Sequence, residues 1–174
     1  MEQVTSSDGA FIVYRRSGAG PPLLLVHGTT ADHRSWSAVA PLLEPHFTLY
    51  AMDRRGRGES GDTADYGLER EVADIIAVIE AIGQPVNVLG HSYGALCCLE
   101  AALQTDAIAR LILYEPGIHC LQRPTMLNTN SLFAKAFFSI TQAIKHGIHA
   151  GLIRQSIEEA CERFCAITKR PEQR

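Results

Sequence analysis

Apolar runs of strand length alternate with stretches of helical pattern along the first two thirds of the chain. The predicted strands are residues 11–15, 23–26, 47–52, 86–89 and 110–114. Residues 23–26 are apolar throughout, which is typical of a central strand buried on both faces. The alternation predicts an α/β fold with a mainly parallel sheet flanked by helices.

Three stretches between these strands are predicted helices, over residues 36–43, 68–82 and 93–104. Gly83 follows the second stretch at the position of a left-handed C-terminal cap, so we expect that helix to end at Ile82. The loop over residues 53–61 is rich in charge and glycine. We expect this loop to be too polar for burial.

The pattern changes after residue 116, because no further strand-like run follows. Two amphipathic helical stripes are predicted there, over residues 132–144 and 157–165. We therefore divide the chain into a sheet-containing core, residues 1–118, and a partial helical cap, residues 119–174.

Composition narrows the range of partners. The 174 residues are 46% hydrophobic and 20% charged, with a net charge of −3, and neither sign forms a long run. This argues against nucleic acid or an anionic membrane surface as a partner. The N-terminal sequence MEQVTSSDGA does not resemble a signal peptide, and no apolar stretch approaches the roughly 18 residues of a spanning helix. A cytoplasmic location is the default expectation.

Five cysteines do not suggest a disulfide framework, because the number is odd and Cys97 and Cys98 are neighbours on one predicted helix. Reduced thiols are expected instead. Cys161 and Cys165 lie four residues apart, but no matching His or Cys pair accompanies them as further metal ligands. Core packing is the preferred interpretation, and we predict neither a metal nor a cofactor.

The sequence VNVLGHSYGAL, residues 86–96, places one serine between two glycines where a predicted strand meets a predicted helix. A sharp turn there holds the Ser92 hydroxyl clear of the backbone, and glycines two residues to either side let strand and helix approach closely. The Tyr93 backbone N–H, at the helix start, would then face the negative charge that develops on a bound carbonyl. The pattern predicts a serine nucleophile at position 92.

Three segments resemble the alpha/beta-hydrolase superfamily and follow its order along the chain. They are LLLVHGTT at residues 23–30, MDRRGRGES at 52–60 and GHSYG at 90–94, and LYEP at 113–116 is similar to a later strand end in many members. The resemblance implies a serine hydrolase that acts on an ester or related acyl bond of a moderately apolar small molecule. It also implies that the backbone amides of Thr29 and Tyr93 form the oxyanion hole.

The family's triad follows the chain order Ser, then Asp or Glu, then His. After Leu113 we find neither a strand-like run followed by an acidic loop nor a closing strand followed by a Gly-His loop. We therefore expect the chain to correspond to the N-terminal part of a hydrolase, with ester turnover near background. His119 and Glu115 are the candidates to replace the missing base and acid.

Other polar residues near the predicted site have structural interpretations. Asp53 is interpreted as a scaffold carboxylate, bonded by the arginines that follow it. His27 is expected to fix the oxyanion loop, and His91 to bond or pack against nearby loops. Trp36 either lines an acyl pocket or packs in the core.

Two functional hypotheses remain. The first is the serine hydrolase described above. The second is a catalytically inactive fragment or binding protein of the same fold, in which strand 110–114 is an apolar edge that can pair with a second chain. A dehalogenase fits less well, because in this fold it would resemble the pattern better with an aspartate at position 92.

Overall fold

The computed structural model describes residues 1–116, in which six strands form one sheet. The strands are β1 (Glu2–Thr5), β2 (Phe11–Gly18), β3 (Pro22–Val26), β4 (Thr48–Met52), β5 (Val86–His91) and β6 (Ile108–Tyr114). Their order across the sheet is β1-β2-β4-β3-β5-β6. The pairs β4/β3, β3/β5 and β5/β6 are parallel, and the pairs β1/β2 and β2/β4 are antiparallel. The predicted α/β fold with a mainly parallel sheet is confirmed.

The helices only partly follow the prediction. They are a 3₁₀ helix (His33–Trp36), α1 (Ala40–Leu43), α2 (Leu68–Ile82) and α3 (Tyr93–Ala102). Helix α2 has the predicted bounds and ends at Gly83 with a left-handed φ of 70°. The prediction of one helix over residues 36–43 is wrong, because Pro41 lacks an N–H and is accommodated only in the first turn of the short α1.

Strand β1 was missed from the sequence. Its residues are mostly exposed, so its side chains carry no apolar alternation, and its backbone pairs with β2 from Glu2 opposite Tyr14 to Thr5 opposite Phe11. Within residues 1–116, β1 and β6 are the two outer strands of the sheet. No helix in this part of the chain has the length and apolar character needed to cross a membrane.

Strand β3 lies between β4 and β5 and is buried along its whole length, as predicted for a central strand. Leu24 and Val26 pack in the cluster formed with α2 and α3, whereas Leu23 and Leu25 pack on the other face with the 3₁₀ helix and α1. Successive side chains of a strand point to opposite faces, so helices cover both sides of β3. Trp36 packs in the second cluster.

Cys97 and Cys98 are buried free thiols on α3, in agreement with the prediction for these two residues. The predictions for Cys161, Cys165, His119 and the helical segment 119–174 fall outside the described residues.

The first three residues of the loop over residues 53–61 contradict the expectation that it would be too polar for burial, whereas residues 56–61 are half-buried or exposed. Asp53, Arg54 and Arg55 are each at most 1% exposed. Nε and Nη2 of Arg55 both donate to the carboxylate of Asp74 at 2.7 Å, and its Nη1 donates to Asp8 at 2.8 Å. A buried charge is tolerated when it is paired and hydrogen-bonded, and here the partners come from other segments of the chain.

Candidate active site

Ser92 is the single residue between the end of β5 and the start of α3, at the carboxyl end of the parallel strands. Its backbone has φ 53° and ψ −119°, a region that residues with side chains rarely adopt. The Ser92 N–H donates to the Tyr114 carbonyl of the neighbouring β6 at 2.9 Å, which helps to hold this conformation. Ligands of open α/β sheets bind at this end of the strands.

The two glycines that flank Ser92 are required by close packing, as the sequence predicted. A Cβ at Gly90 would lie 2.6 Å from Cα of Ala95, and a Cβ at Gly94 would lie 2.6 Å from the carbonyl oxygen of Val26. Both contacts are with backbone atoms, which cannot move aside as a flexible side chain could. The turn therefore depends on glycine at both positions.

The loop after β3 packs directly against this turn. A Cβ at Gly28 would lie 3.2 Å from Cβ of Ser92 and 3.2 Å from Nδ1 of His91. Thr29, the next residue, is exposed. Tyr93 is the first residue of α3, so its N–H has no carbonyl partner within the helix. The fold thus brings together the two segments that carry the predicted nucleophile and the predicted oxyanion amides.

His27 uses both ring nitrogens inside the protein. Its Nδ1 donates to the Gly28 carbonyl at 2.8 Å, and its Nε2 accepts from the Arg54 backbone N–H at 3.0 Å. Burial lowers the pKa of His27 and so favours the neutral ring that this pairing requires. His27 therefore fixes the loop after β3, as expected, and is not available as a base.

Arg54 is the component of the site that the sequence did not reveal. Its Nε and Nη2 donate to the two oxygens of Glu71 at 2.9 and 2.5 Å, and its Nη1 donates to the Gly28 carbonyl at 2.9 Å. Its guanidinium carbon lies 4.7 Å from the centre of the Tyr93 ring. Tyr66 donates its hydroxyl to Glu71 at 2.7 Å. A buried ion pair therefore lies directly beneath the loop after β3 and the start of α3.

A signal for this pair was present in the sequence. Glu71 lies three residues after Leu68 and four before Ile75, so the helical period places it on the apolar face of α2. A carboxylate on such a face needs a buried partner. The sequence did not reveal which cation would supply it.

Asp53 is a scaffold residue, but its partners differ from those expected. Its Oδ1 accepts from the backbone nitrogen of His33 at 2.7 Å and lies 2.9 Å from His33 Nδ1, and its Oδ2 accepts from the Glu59 N–H at 3.0 Å. Arg54 and Arg55 bind other carboxylates, and Arg57 donates to the backbone carbonyls of Thr29 and Gly56. The nearby carboxylate of Asp32 is held by Arg34, whose Nε donates to it at 3.0 Å. The carboxylates of Asp32 and Asp53 therefore already accept from protein donors, and the His33 ring is one of the groups paired with Asp53.

His91, beside the predicted nucleophile, lies against both Gly28 and the end of β6. His91 Nε2 lies 3.7 Å from the carboxylate of Glu115, and its ring centre lies 5.2 Å from that of Tyr114. This agrees with the expectation that His91 bonds and packs locally. Within residues 1–116, no histidine is hydrogen-bonded to the Ser92 hydroxyl.

The sequence profile of the alpha/beta hydrolase family matches residues 23–164. N-formylmaleamate deformylase of Pseudomonas putida KT2440 is 40% identical over 108 residues, which are 60% of this chain and 40% of that protein. Pimeloyl-[acyl-carrier protein] methyl ester esterase of Methylococcus capsulatus is 32% identical over 168 residues, which are 91% of this chain and 56% of that protein. The chain therefore spans about half the length, or less, of these two curated relatives.

Solved structures give the same family. An alpha/beta hydrolase from Sphaerobacter thermophilus superposes with a TM-score of 0.65 at 36% identity, covering 89% of this chain and 64% of that one. An N-formylmaleamic acid deformylase from Pseudomonas putida S16 gives a TM-score of 0.61 at 34% identity, covering 67% of this chain and 47% of that one.

Proposed function

This chain belongs to the alpha/beta hydrolase family, and we propose that the protein is a serine hydrolase with Ser92 as its nucleophile. The proposed substrate is a moderately apolar small molecule with an ester or related acyl bond. The observation that carries the proposal is the left-handed backbone of Ser92 at the junction of β5 and α3, packed against Gly28. Strain of this kind persists where the surrounding structure enforces it, and it clusters at active sites.

The proposed reaction has two stages. The Ser92 oxygen attacks the substrate carbonyl carbon while a general base takes the hydroxyl proton, and the negative oxygen of the tetrahedral intermediate accepts hydrogen bonds from the Thr29 and Tyr93 amides. The intermediate collapses to an acyl-serine, and the leaving group departs with the proton returned by the base. Water, deprotonated by the same base, then attacks the carbonyl carbon of the acyl-serine. The bond to the Ser92 oxygen breaks, the acid leaves, and the base returns the proton to the Ser92 oxygen.

The names of the two curated relatives support the class of bond. One is a deformylase and the other a methyl ester esterase, and both names describe cleavage at an acyl carbon. We carry over the bond class alone, because nothing in residues 1–116 identifies the molecules that appear in the names of those two proteins.

The base is proposed to lie outside the described residues. His27 is bonded through both nitrogens, His33 is paired with Asp53, and His91 faces Glu115. His119 follows β6 in the chain and is the candidate that we test first. Glu115 is less suited to orient a base at Ser92, because it already lies against His91.

The test is covalent labelling. The purified protein is exposed to a fluorophosphonate probe, the intact mass is measured, and the modified residue is mapped by peptide mass spectrometry. We expect any adduct to lie on Ser92 and to be absent from Ser92→Ala, and its loss in His119→Ala would identify His119 as the base. His46→Ala serves as the control, because His46 is exposed and precedes β4, at the opposite end of the parallel strands.

A catalytically inactive protein of the same fold is the second candidate. It is favoured by one observation, that no histidine within residues 1–116 is hydrogen-bonded to the Ser92 hydroxyl. Absence of any adduct from a chain that is folded by circular dichroism would support this candidate and overturn the serine hydrolase. Labelling of another residue in place of Ser92 would overturn the assignment of the nucleophile.

A further inference from the structure

The carbonyl oxygen of Gly28 accepts hydrogen bonds from two buried side chains. His27 Nδ1 donates to it at 2.8 Å and Arg54 Nη1 donates at 2.9 Å. His27 is completely buried and Arg54 is 1% exposed. Two buried donors, one of them charged, fix the direction of this carbonyl strongly.

The backbone N–H of Thr29 belongs to the same peptide group as the Gly28 carbonyl. The structure has no cis peptide bond in the described residues, and in a planar trans peptide the N–H points away from the C=O. When Arg54 and His27 hold the Gly28 oxygen, they therefore also hold the Thr29 N–H, on the opposite side. Gly28 itself packs against Ser92.

The same guanidinium contacts the second predicted oxyanion residue. Its carbon lies 4.7 Å from the centre of the Tyr93 ring, within the range of a cation–π contact. Both remaining nitrogens are held by the carboxylate of Glu71, which α2 supplies and which Tyr66 also binds. One buried cation thus contacts both segments that carry the predicted oxyanion amides.

We propose that Arg54 is a positioning residue that aligns the oxyanion amides of Thr29 and Tyr93. The inference rests on the proposed function, since it concerns the same site. If Arg54 served only to neutralise Glu71, the hydrogen bonds from Nε and Nη2 would be sufficient. Its third nitrogen, Nη1, instead donates to the peptide group that bears the Thr29 amide. A cationic donor on a carbonyl also polarises the peptide, which makes its N–H a stronger donor.

The test needs a variant that removes the Arg54 cation without leaving the buried carboxylate of Glu71 unpaired. Arg54→Met combined with Glu71→Gln does this, because an unpaired buried carboxylate would itself destabilise the fold. The matched control is Arg55→Met combined with Asp74→Asn. That pair is equally buried and joins the same loop to the same helix, but Arg55 donates to Asp74, Asp8, Thr63 and Arg70 and not to Gly28.

Two quantities are measured on the wild type and both double variants. The first is the ¹⁵N order parameter of the Thr29 amide, which we expect to fall from about 0.85 to below about 0.6 in the Arg54 variant alone. The second is the rate constant for labelling of Ser92 by a fluorophosphonate, which we expect to fall about 10- to 100-fold in that variant, as for a misplaced or weakened oxyanion donor. Reversible binding of an uncharged ester analogue should change little in either.

Equal labelling rates in the Arg54 and Arg55 variants would overturn the inference, and so would a Thr29 amide that stays rigid without Arg54. If the wild type is not labelled at Ser92, the proposed function fails, and the order parameter alone still decides whether Arg54 positions the peptide. Should the Arg54 double variant fail to fold, Arg54→Lys replaces it. Lysine keeps the charge, but its single nitrogen cannot span Glu71 and Gly28 together.

Discussion

The carboxylate of Asp53 is completely buried and lies 2.9 Å from Nδ1 and 2.7 Å from the backbone nitrogen of His33. The Glu59 N–H donates to its other oxygen at 3.0 Å. Three donors from two segments therefore converge on one carboxylate. This joins the loop after β3, which carries the predicted oxyanion residue, to the loop after β4.

Replacing Asp53 with asparagine should destabilise the protein by about 1–3 kcal/mol, because the amide NH₂ faces a donor and leaves it unsatisfied. Urea denaturation followed by circular dichroism measures the change in the free energy of unfolding. Asp65→Asn is the control, since Asp65 forms an exposed pair with Arg70 and should change stability by at most about 1 kcal/mol. Ser92 labelling in the folded Asp53 variant should stay close to wild type, and a loss there would contradict the scaffold assignment.

Ser92→Gly should be more stable than Ser92→Ala. At φ 53° a residue with a Cβ is strained by about 1–3 kcal/mol, and glycine removes this strain. The larger conformational entropy of glycine in the unfolded chain lowers the free energy of unfolding by about 0.5–1 kcal/mol, which is less than the strain relieved. Thermal unfolding of the two variants measures the difference, and neither should be labelled by the probe at residue 92. A glycine variant less stable than the alanine variant would show that the turn stores no strain.

Alanine at Gly94 should destabilise the protein by about 3 kcal/mol or more, because its Cβ would meet the Val26 carbonyl of β3 and force the backbone to move. Labelling of Ser92 should fall with it, since the turn shifts. Gly83→Ala is the matched comparison. There φ is 70°, but the nearest atom to a Cβ lies at 3.9 Å, so only the left-handed conformation costs energy, about 1–2 kcal/mol. Equal losses from both variants would contradict the role assigned to close packing at the turn.

Stability should depend on Asp8 at acid pH. The hydrogen bond from Arg55 holds the pKa of Asp8 well below its model-compound value of 3.8. A pKa that is lower in the folded than in the unfolded protein stabilises the fold above the unfolded pKa, and this contribution is lost as the pH falls through and below that value. The gap in unfolding free energy between the wild type and Asp8→Asn should therefore shrink from about pH 5 towards about pH 2. A gap that stays constant over this range would contradict the pairing with Arg55.

Much of the fold was predictable because most of its strands and helices depend on patterns among residues that are close in sequence. Helix α2 has its predicted bounds, since an apolar stripe and a following glycine depend only on residues near in sequence. The turn at Ser92 was also predictable, because two glycines around a serine between a strand-like run and a helical stretch mark a tight strand-to-helix turn. Strand β1 had no such signal, because it is held by backbone pairing to β2 and only Val4 of its side chains packs against the core.

The sequence by itself determined the order of β2 to β6 with α2 and α3, and the position of Ser92 at a strand–helix junction. Only the tertiary structure decided which carboxylate each buried arginine binds. Arg54 and Glu71 are 17 residues apart, and Arg55 is 19 residues from Asp74. A charge is buried at little cost only where an opposite charge meets it. Arg54 and Arg55 therefore look exposed in sequence and become buried when α2 packs against them, whereas residues 56–61 of the same loop stay half-buried or exposed.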